Sequence, residues 1–545
     1  MKLTAEQICS RQDKLKADRG VWETHWQDIA DYVLPRKNSF NRTNVAGEKK
    51  GVQLYDNTAM VSCDLLASAL HGTLTNSATL WFELSAANES IDRLEPVREY
   101  LQELTRRVHR VLNNSNFQSE IHEYYLDLCS FGTGTMTVEK NEDTLVRFSV
   151  KHLGEIFVAE NAAGEIDEVY RVFKWDARQI LEEFGKGIDI TSKTAVEAAF
   201  GRKVSEAFFK NERTPFEIVH AVYRMDFDRT NPMPFWSCYC LKADKKELSE
   251  ARFRRFPYLV SRWTKISGEV YGRSPAMNAL PEAKTLNVMA KTMIIGAQKV
   301  VDPAVQMPDD GFVRPLRSGP GGVNYYRAGT TDRVEPIFND SRIDFGFEAL
   351  RERQARVQQA FYIDRLNLAQ NDRMTTVEVN QRVQEQMRFL GPVLGRQEPE
   401  FLRPLIDKVL DMMIEVDDGS GDIIGTPPPE LQDIGLEARY SSPIARAQRM
   451  QEAQALQSAI ASSAPAFQID PGSVDLIDFE MVVRENFAIY GAPQKVLRKK
   501  RDIAEIRDAR AAAQEAALKA QELAQGAENL NKVSPLITAG ETQLG

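Results

Sequence analysis

The sequence predicts an α+β chain that is mostly helical, on three observations. Apolar residues recur at steps of three and four in long segments at both ends of the chain. Residues 131–266 are punctuated instead by short β-branched and aromatic runs. Two long helical patterns in the second half enclose a stretch too rich in Pro and Gly to be helical. At 545 residues the chain exceeds what one core supports, so roughly three or four structural units are expected. With 43% apolar and 27% charged residues, most of it should pack.

Thr4 and Gln7 stand at capping-box spacing, and Trp22, Trp26, Ile29 and Val33 share one face, which predicts a helix from Thr4 to Leu34 ended by Pro35. Further helices are expected over VSCDLLASALHGTLT and over 93–113, where Leu101, Leu104, Val108 and Val111 align. TGTMTVEK, LVRFSVKHL, EIFVAE and EVYRVFKW, separated by turn residues, predict an antiparallel meander. Helix follows to about 210, then strands at FEIVHAVYRMDF, FWSCYCLKA and YLVSRWTKI.

In GRSPAMNALPEAK, Ser274 suits an N-cap and Pro275 the first helical position, with Pro281 restarting or kinking the helix. The pattern runs over 282–300, and Lys284, Asn287, Lys291 and Gln298 form a polar stripe on it. Residues 341–365 form a second helix, with Ile343, Phe347, Leu350, Val357 and Phe361 on one face and Glu352 four before Arg356. The excursion between them carries strand-like pieces near 323–326 and 333–337. After LNLAQNDRMT, Thr375 and Glu378 open a helix that Gly391, Pro392, Pro399 and Pro404 should kink. Helices are expected at 443–463, 478–489 and 495–525, followed by a loose tail.

Several chemistries lack their residues. No G-x-x-x-x-G-K-[ST] loop exists to cradle phosphates, and Gly185, Lys186 and Gly187 read as a helix end. His122 and Glu123 lack the second histidine of a zinc protease, and DDGSGD lacks the ligand alternation of an EF-hand. Five scattered cysteines form no C-x-x-C pair, which fits a reducing cytoplasm and neither a disulfide framework nor a zinc site. No run approaches the ~18 apolar residues of a membrane span, and the first residues lack a signal-peptide core. A net charge of -9 argues against a broad basic face for nucleic acid. No catalytic residue, metal site or cofactor is assigned. A metal-dependent nucleic-acid enzyme using Asp417, Asp418 and Asp422 is the rival reading, and an internal structural component of a larger assembly is a third.

RGVWETHWQDIADYVLPR, LYDNTAMVSCDLLASALHGTLTNSATLWFELS, HLGEIFVAENAAGEIDEVYRVFKWDARQILEEFG, GEVYGRSPAMNALPEAKTLN and RMTTVEVNQRVQEQMRFLGPVLGRQEPEFLRPLIDKVL stand here in one order. In these runs the chain resembles the head-to-tail connector, or portal, family of short-tailed bacteriophages. The resemblance implies a wing at 1–270, stem helices at 271–300 and 341–365, a clip at 301–340 and a tunnel loop at 366–375. It implies a long kinked wing helix at 376–416, a crown at 417–494, a crown or barrel helix at 495–525 and a flexible tail at 526–545. It further implies a closed ring of twelve copies at one capsid vertex of the virion, assembled in the host bacterial cytoplasm. Double-stranded viral DNA would pass through it, with the terminase packaging motor, major capsid and scaffolding proteins and tail adaptor proteins as partners and no membrane.

On that plan Arg365 and Arg373 flank the tunnel loop as transient phosphate contacts, Asn367, Gln370 and Asn371 add neutral hydrogen bonds, and Lys284 and Lys291 face DNA from the stem. Asp309, Asp310, Arg314, Arg317, Tyr325 and Tyr326 are the expected partner surface of the clip.

Overall fold

The computed structural model describes the chain outside residues 1, 43–44, 46, 93, 225–230, 302–304, 307–334, 337–342, 367–390, 418–422, 432–434, 441–442, 470, 490–495, 499 and 541–545. It divides into two compact units, Met1–Ile444 and Ala445–Gly545.

The capping box at Thr4 and Gln7 is present, but the first helix is not continuous: Ala5–Asp18 and Gly20–Tyr32 meet at Arg19. Arg19 is buried, and its guanidinium binds the carbonyls of Leu153 and Gly154 together with Glu23. Satisfying that buried charge from the 153–154 backbone fixes the break. Trp26, Ile29 and Val33 are fully buried, as their spacing requires, in the core shared with the helices Thr58–Leu74, Glu95–Asn114 and Phe117–Phe131.

The expected meander is split between two sheets. Thr133–Asn141 pairs with Leu145–Val150 on one side and with the distant Tyr258–Arg262 on the other. Ile156–Glu160 and Ile166–Trp175 instead open a five-stranded antiparallel sheet continued by Phe216–Arg224, Phe235–Leu241 and Lys246–Phe253. Alternation along Phe216–Arg224 shows why both sheet faces are covered. Phe216 and Ile218 pack with the helices Ala177–Phe184, Lys193–Phe200 and Arg202–Phe209, while Val219, Ala221 and Tyr223 pack under Leu3, Ile8 and Cys9. A strand at Phe82–Ala86 pairs with Leu436–Tyr440, far away in sequence and unsignalled by any local pattern.

The Arg403–Asp417 helix follows a π-helical turn at Glu398–Leu402, closed by the bond from the Arg403 N–H to the Glu398 carbonyl. Two prolines explain the turn, since neither Pro399 nor Pro404 can donate the bond that an α-helix requires. Glu400 accepts from the backbone N–H and the guanidinium of buried Arg262, which also binds Glu160. Gln397 bonds Ser261 and the Arg262 carbonyl, and Phe401 stacks on Tyr124 at 4.1 Å. One arginine thus ties both sheets to the turn.

The second unit holds the helices Pro443–Ile469, which begins at its boundary, Phe479–Ile489 and Lys500–Gly540. The last helix runs through most of the segment expected to be a loose tail.

Candidate functional site

The two helices expected to form the stem are Pro275–Val301 and Ile343–Ala360, and they pack against each other. Ser274 caps the first: its hydroxyl accepts from the Met277 N–H at 3.1 Å and donates to the Ser130 carbonyl at 2.6 Å. The preceding Gly272 lies so close to Gly132 that a Cβ on either would collide with the other's backbone. The Gly-Arg-Ser-Pro turn is therefore a helix start wedged against the end of the Phe117–Phe131 helix. Pro281 lies inside the helix without ending it.

The pair is locked by Arg353 to Glu282 at 2.7 Å, and Gly346 leaves room for Met293 to lie against the second helix. Val357 and Phe361 are fully buried, whereas Phe347, nearer the other end of the same stripe, is exposed. The second helix ends at Ala360, earlier than its pattern implied: Tyr362 adopts φ +63°, and a single turn, Ile363–Leu366, follows. A non-glycine residue in the left-handed region breaks helical continuation.

The polar stripe does not face one environment. Asn287 is buried; its side-chain oxygen accepts from the N–H groups of Tyr55 and Asp56, and its amide donates to the Gln53 carbonyl. It clamps the 53–56 segment onto the Pro275–Val301 helix, and Gln354 adds a bond to Asp56 at 2.8 Å. Lys284 pairs with Asp28 at 2.7 Å and lies 5.6 Å from the Tyr32 ring; exposed Lys291 lies 5.4 Å from Tyr55. Both cations thus have partners within their own chain. These contacts carry no local sequence signal, because Asp28, Tyr32, Tyr55 and Asp56 meet the site only through the fold.

Beyond this clasp the helix pair exposes apolar surface. Val288 is 62%, Ile294 45%, Ile295 41% and Phe347 50% exposed, beside Lys291 and Arg351. Arg365 is exposed on the turn after the second helix. Asn367, Gln370, Asn371 and Arg373 lie outside the described residues, as do Asp309, Asp310, Arg314, Arg317, Tyr325 and Tyr326. Of the expected excursion, the described part is a two-residue antiparallel pairing of Val305–Gln306 with Glu335–Pro336. Asp417, offered by the rival reading as a metal ligand, is buried and accepts the Ile423 N–H at 2.6 Å and the Ile424 N–H at 3.3 Å, which is a loop-capping role; Asp418 and Asp422 lie outside the described residues.

The family described as bacteriophage head to tail connecting protein matches residues 5–497. The chain belongs to that family. It is 29% identical over 555 residues to a probable portal protein of Bordetella phage BPP-1, covering 98% of this chain and 96% of the relative. It is 27% identical over 542 residues to the portal protein of Salmonella phage epsilon15, covering 97% and 95%. Among solved structures, a chain of the virion of a native gene transfer agent particle aligns at 12% identity with a TM-score of 0.33, over 75% of this chain and 86% of that one. A chain from the neck of an empty gene transfer agent particle aligns at 12% identity and 0.34, over 73% and 84%. The connector family is structural and non-enzymatic, and its member described here is a phage portal protein, a virion component at the head–tail junction.

Proposed function

We propose that copies of this portal protein close into a ring, with twelve subunits as the family resemblance implies, and that the ring surrounds the channel through which double-stranded viral DNA is packaged and ejected. The observation that carries this reading is the apolar surface left on the stem pair after the intrachain core is complete. Side chains such as Val288, Ile294, Ile295 and Phe347 project from helices already locked together by Glu282 and Arg353. A ring of identical copies uses heterologous contacts that rotation closes, and a long apolar flank supplies the repeated area. Native mass spectrometry with negative-stain imaging should find a closed ring with a central hole. Ile295→Asp with Phe347→Asp should leave folded subunits that fail to close; unchanged rings in that variant would remove the stem from the interface.

Within the channel, Arg365 and Arg373 supply sparse transient phosphate contacts at the tunnel loop, 366–375. Lys284 and Lys291 keep a share of that role only where their links to Asp28 and Tyr55 leave charge facing the channel. Arg365→Ala with Arg373→Ala should alter packaging or DNA retention, and wild-type behaviour in both would leave the loop without an electrostatic role. The clip, 301–340, presents Asp309, Asp310, Arg314, Arg317, Tyr325 and Tyr326 to the terminase motor and then to tail adaptors, while the wing, 1–270, and crown, 417–494, meet capsid and scaffolding proteins. Replacing residues 317–326 with a neutral linker should spare the ring and abolish tail attachment.

A further inference from the structure

Along the sequence His122 has no histidine partner one turn on, where Leu126 stands. The fold supplies one from another helix. His71 on Thr58–Leu74 and His122 on Phe117–Phe131 face each other across the packed pair, with ring centres 6.4 Å apart and planes at 65°. Asp64 and Ser68 share the face of His71 on its helix, and Gln118 lies one turn before His122. Nε2 of His122 is 3.2 Å from the Ser68 hydroxyl and 4.0 Å from an Asp64 carboxylate oxygen, and Nε2 of His71 donates to the Gln118 side-chain oxygen at 2.7 Å. Both histidines are half-buried and Asp64 is exposed, so solvent reaches the cluster.

A serine, a histidine and an aspartate suggest a nucleophile with its base, but the geometry rejects that. Ser68 and Asp64 approach the same ring nitrogen of His122, whereas a proton relay needs them on opposite nitrogens. Two imidazoles and a carboxylate are instead a donor set for a divalent transition-metal ion. On a tetrahedral ion with bonds of about 2.1 Å, ligand atoms stand about 3.4 Å apart, so the Asp64 oxygen has about 0.6 Å to close, within reach of a side-chain rotation. Two imidazoles on such an ion have ring centres about 5 Å apart, so the histidines must approach by about 1 Å. No three ligating side chains already converge among the described residues, so the ion assembles the site by rotamer change. His71 must also carry its proton on Nδ1, which releases Gln118 and turns the Nε2 lone pair toward the metal.

We infer that His71, His122 and Asp64 bind one divalent transition-metal ion of the zinc or cobalt type, which staples the Thr58–Leu74 helix to the Phe117–Phe131 helix. The first of these helices also packs on Pro275–Val301 and Ile343–Ala360, so the ion stiffens the seat of that pair. All three ligands belong to one chain, and the site is independent of ring closure.

The test uses the untagged full-length protein. Zn2+ should protect His71 and His122 together from diethyl pyrocarbonate, read by peptide mass spectrometry, with one ion bound per chain and labelling of the other reactive histidines unchanged. The five cysteines are all buried and do not compete for the ion. His71→Ala and His122→Ala should each weaken Zn2+ binding by at least the roughly tenfold that losing an outer partner costs a metal site, and Asp64→Asn should weaken it less. Zn2+ should raise the melting temperature of the wild-type protein and leave that of the His71→Ala, His122→Ala double variant unchanged. Failure of Zn2+ to protect either histidine in the folded wild-type protein would overturn the site, and that result needs no variant to fold. Binding and stabilisation that survive in the double variant would overturn it too. Protection of His122 alone would overturn the staple in favour of a single-histidine surface contact.

Discussion

His220 lies buried in the five-stranded sheet, with its two ring nitrogens 2.8 Å from the Tyr258 and Ser237 hydroxyls and its ring stacked on Tyr239 at 3.9 Å. Burial first, and then Arg171 and Lys151, push its pKa down to about 3, so the imidazole is neutral. The unfolded chain therefore binds the extra proton between about pH 3 and pH 6.5, and stability falls as pH drops through that window, by roughly 1.4 kcal/mol per unit from this group. Urea unfolding from pH 7 to pH 4.5 should show that slope, and His220→Gln should flatten it. Lys408 works at the other end. Its ammonium donates to the Pro257 carbonyl at 2.9 Å, and burial lowers its pKa to about 7 against the pull of Glu139 and Asp411. Between about pH 7 and pH 10.5 the unfolded chain holds the proton more tightly, so the folded state gains stability as pH rises. Lys408→Met should abolish that gain and make stability level from pH 7 to pH 9.

Single elements are held in place by a few polar side chains. Asn287 spends its whole amide on the 53–56 segment, which has no regular structure of its own. Asn287→Ala should cost about 2 kcal/mol, because the half-buried N–H groups of Tyr55 and Asp56 lose their acceptor, and hydrogen exchange should accelerate at residues 53–56 first. The π-turn has a comparable anchor. Removing the Glu400 carboxylate leaves the buried Arg262 guanidinium with Glu160 and the Gly164 carbonyl, so Glu400→Ala should destabilise by about 3 kcal/mol, read as a lower midpoint in urea. Arg396, one turn before Glu400 and 3.2 Å from it, is only half-buried, so Arg396→Ala should cost under about 1 kcal/mol.

For the whole molecule the controlling fact is charge. In the proposed channel a chain of net charge -9 would repel the phosphates it surrounds, with only sparse cations to offset that. Rings of the purified protein should bind duplex DNA weakly at physiological salt. A plot of log affinity against log salt should correspond to few phosphates per DNA, since each neutralised phosphate adds about 0.9 to the slope. A steep slope would mean a densely cationic wall, contrary to the channel proposed above.

Local pattern by itself determined the helices with one apolar face, the strand runs, the Ser274–Pro275 helix start, and the pairing of two long helices around an excursion. These follow from periodicity and capping, which act within a few residues. The five ordered runs carried the family resemblance that the comparisons bear out. Only the tertiary structure decided that Arg19 breaks the first helix, that the meander divides between two sheets, that Phe82–Ala86 finds Leu436–Tyr440, and that Tyr362 ends the Ile343–Ala360 helix. It also turned the lysine stripe into a clasp with Asp28, Tyr32 and Tyr55. Those outcomes depend on which distant groups satisfy a buried charge, an unpaired strand edge or an amide. No local window of sequence contains both partners of such a contact.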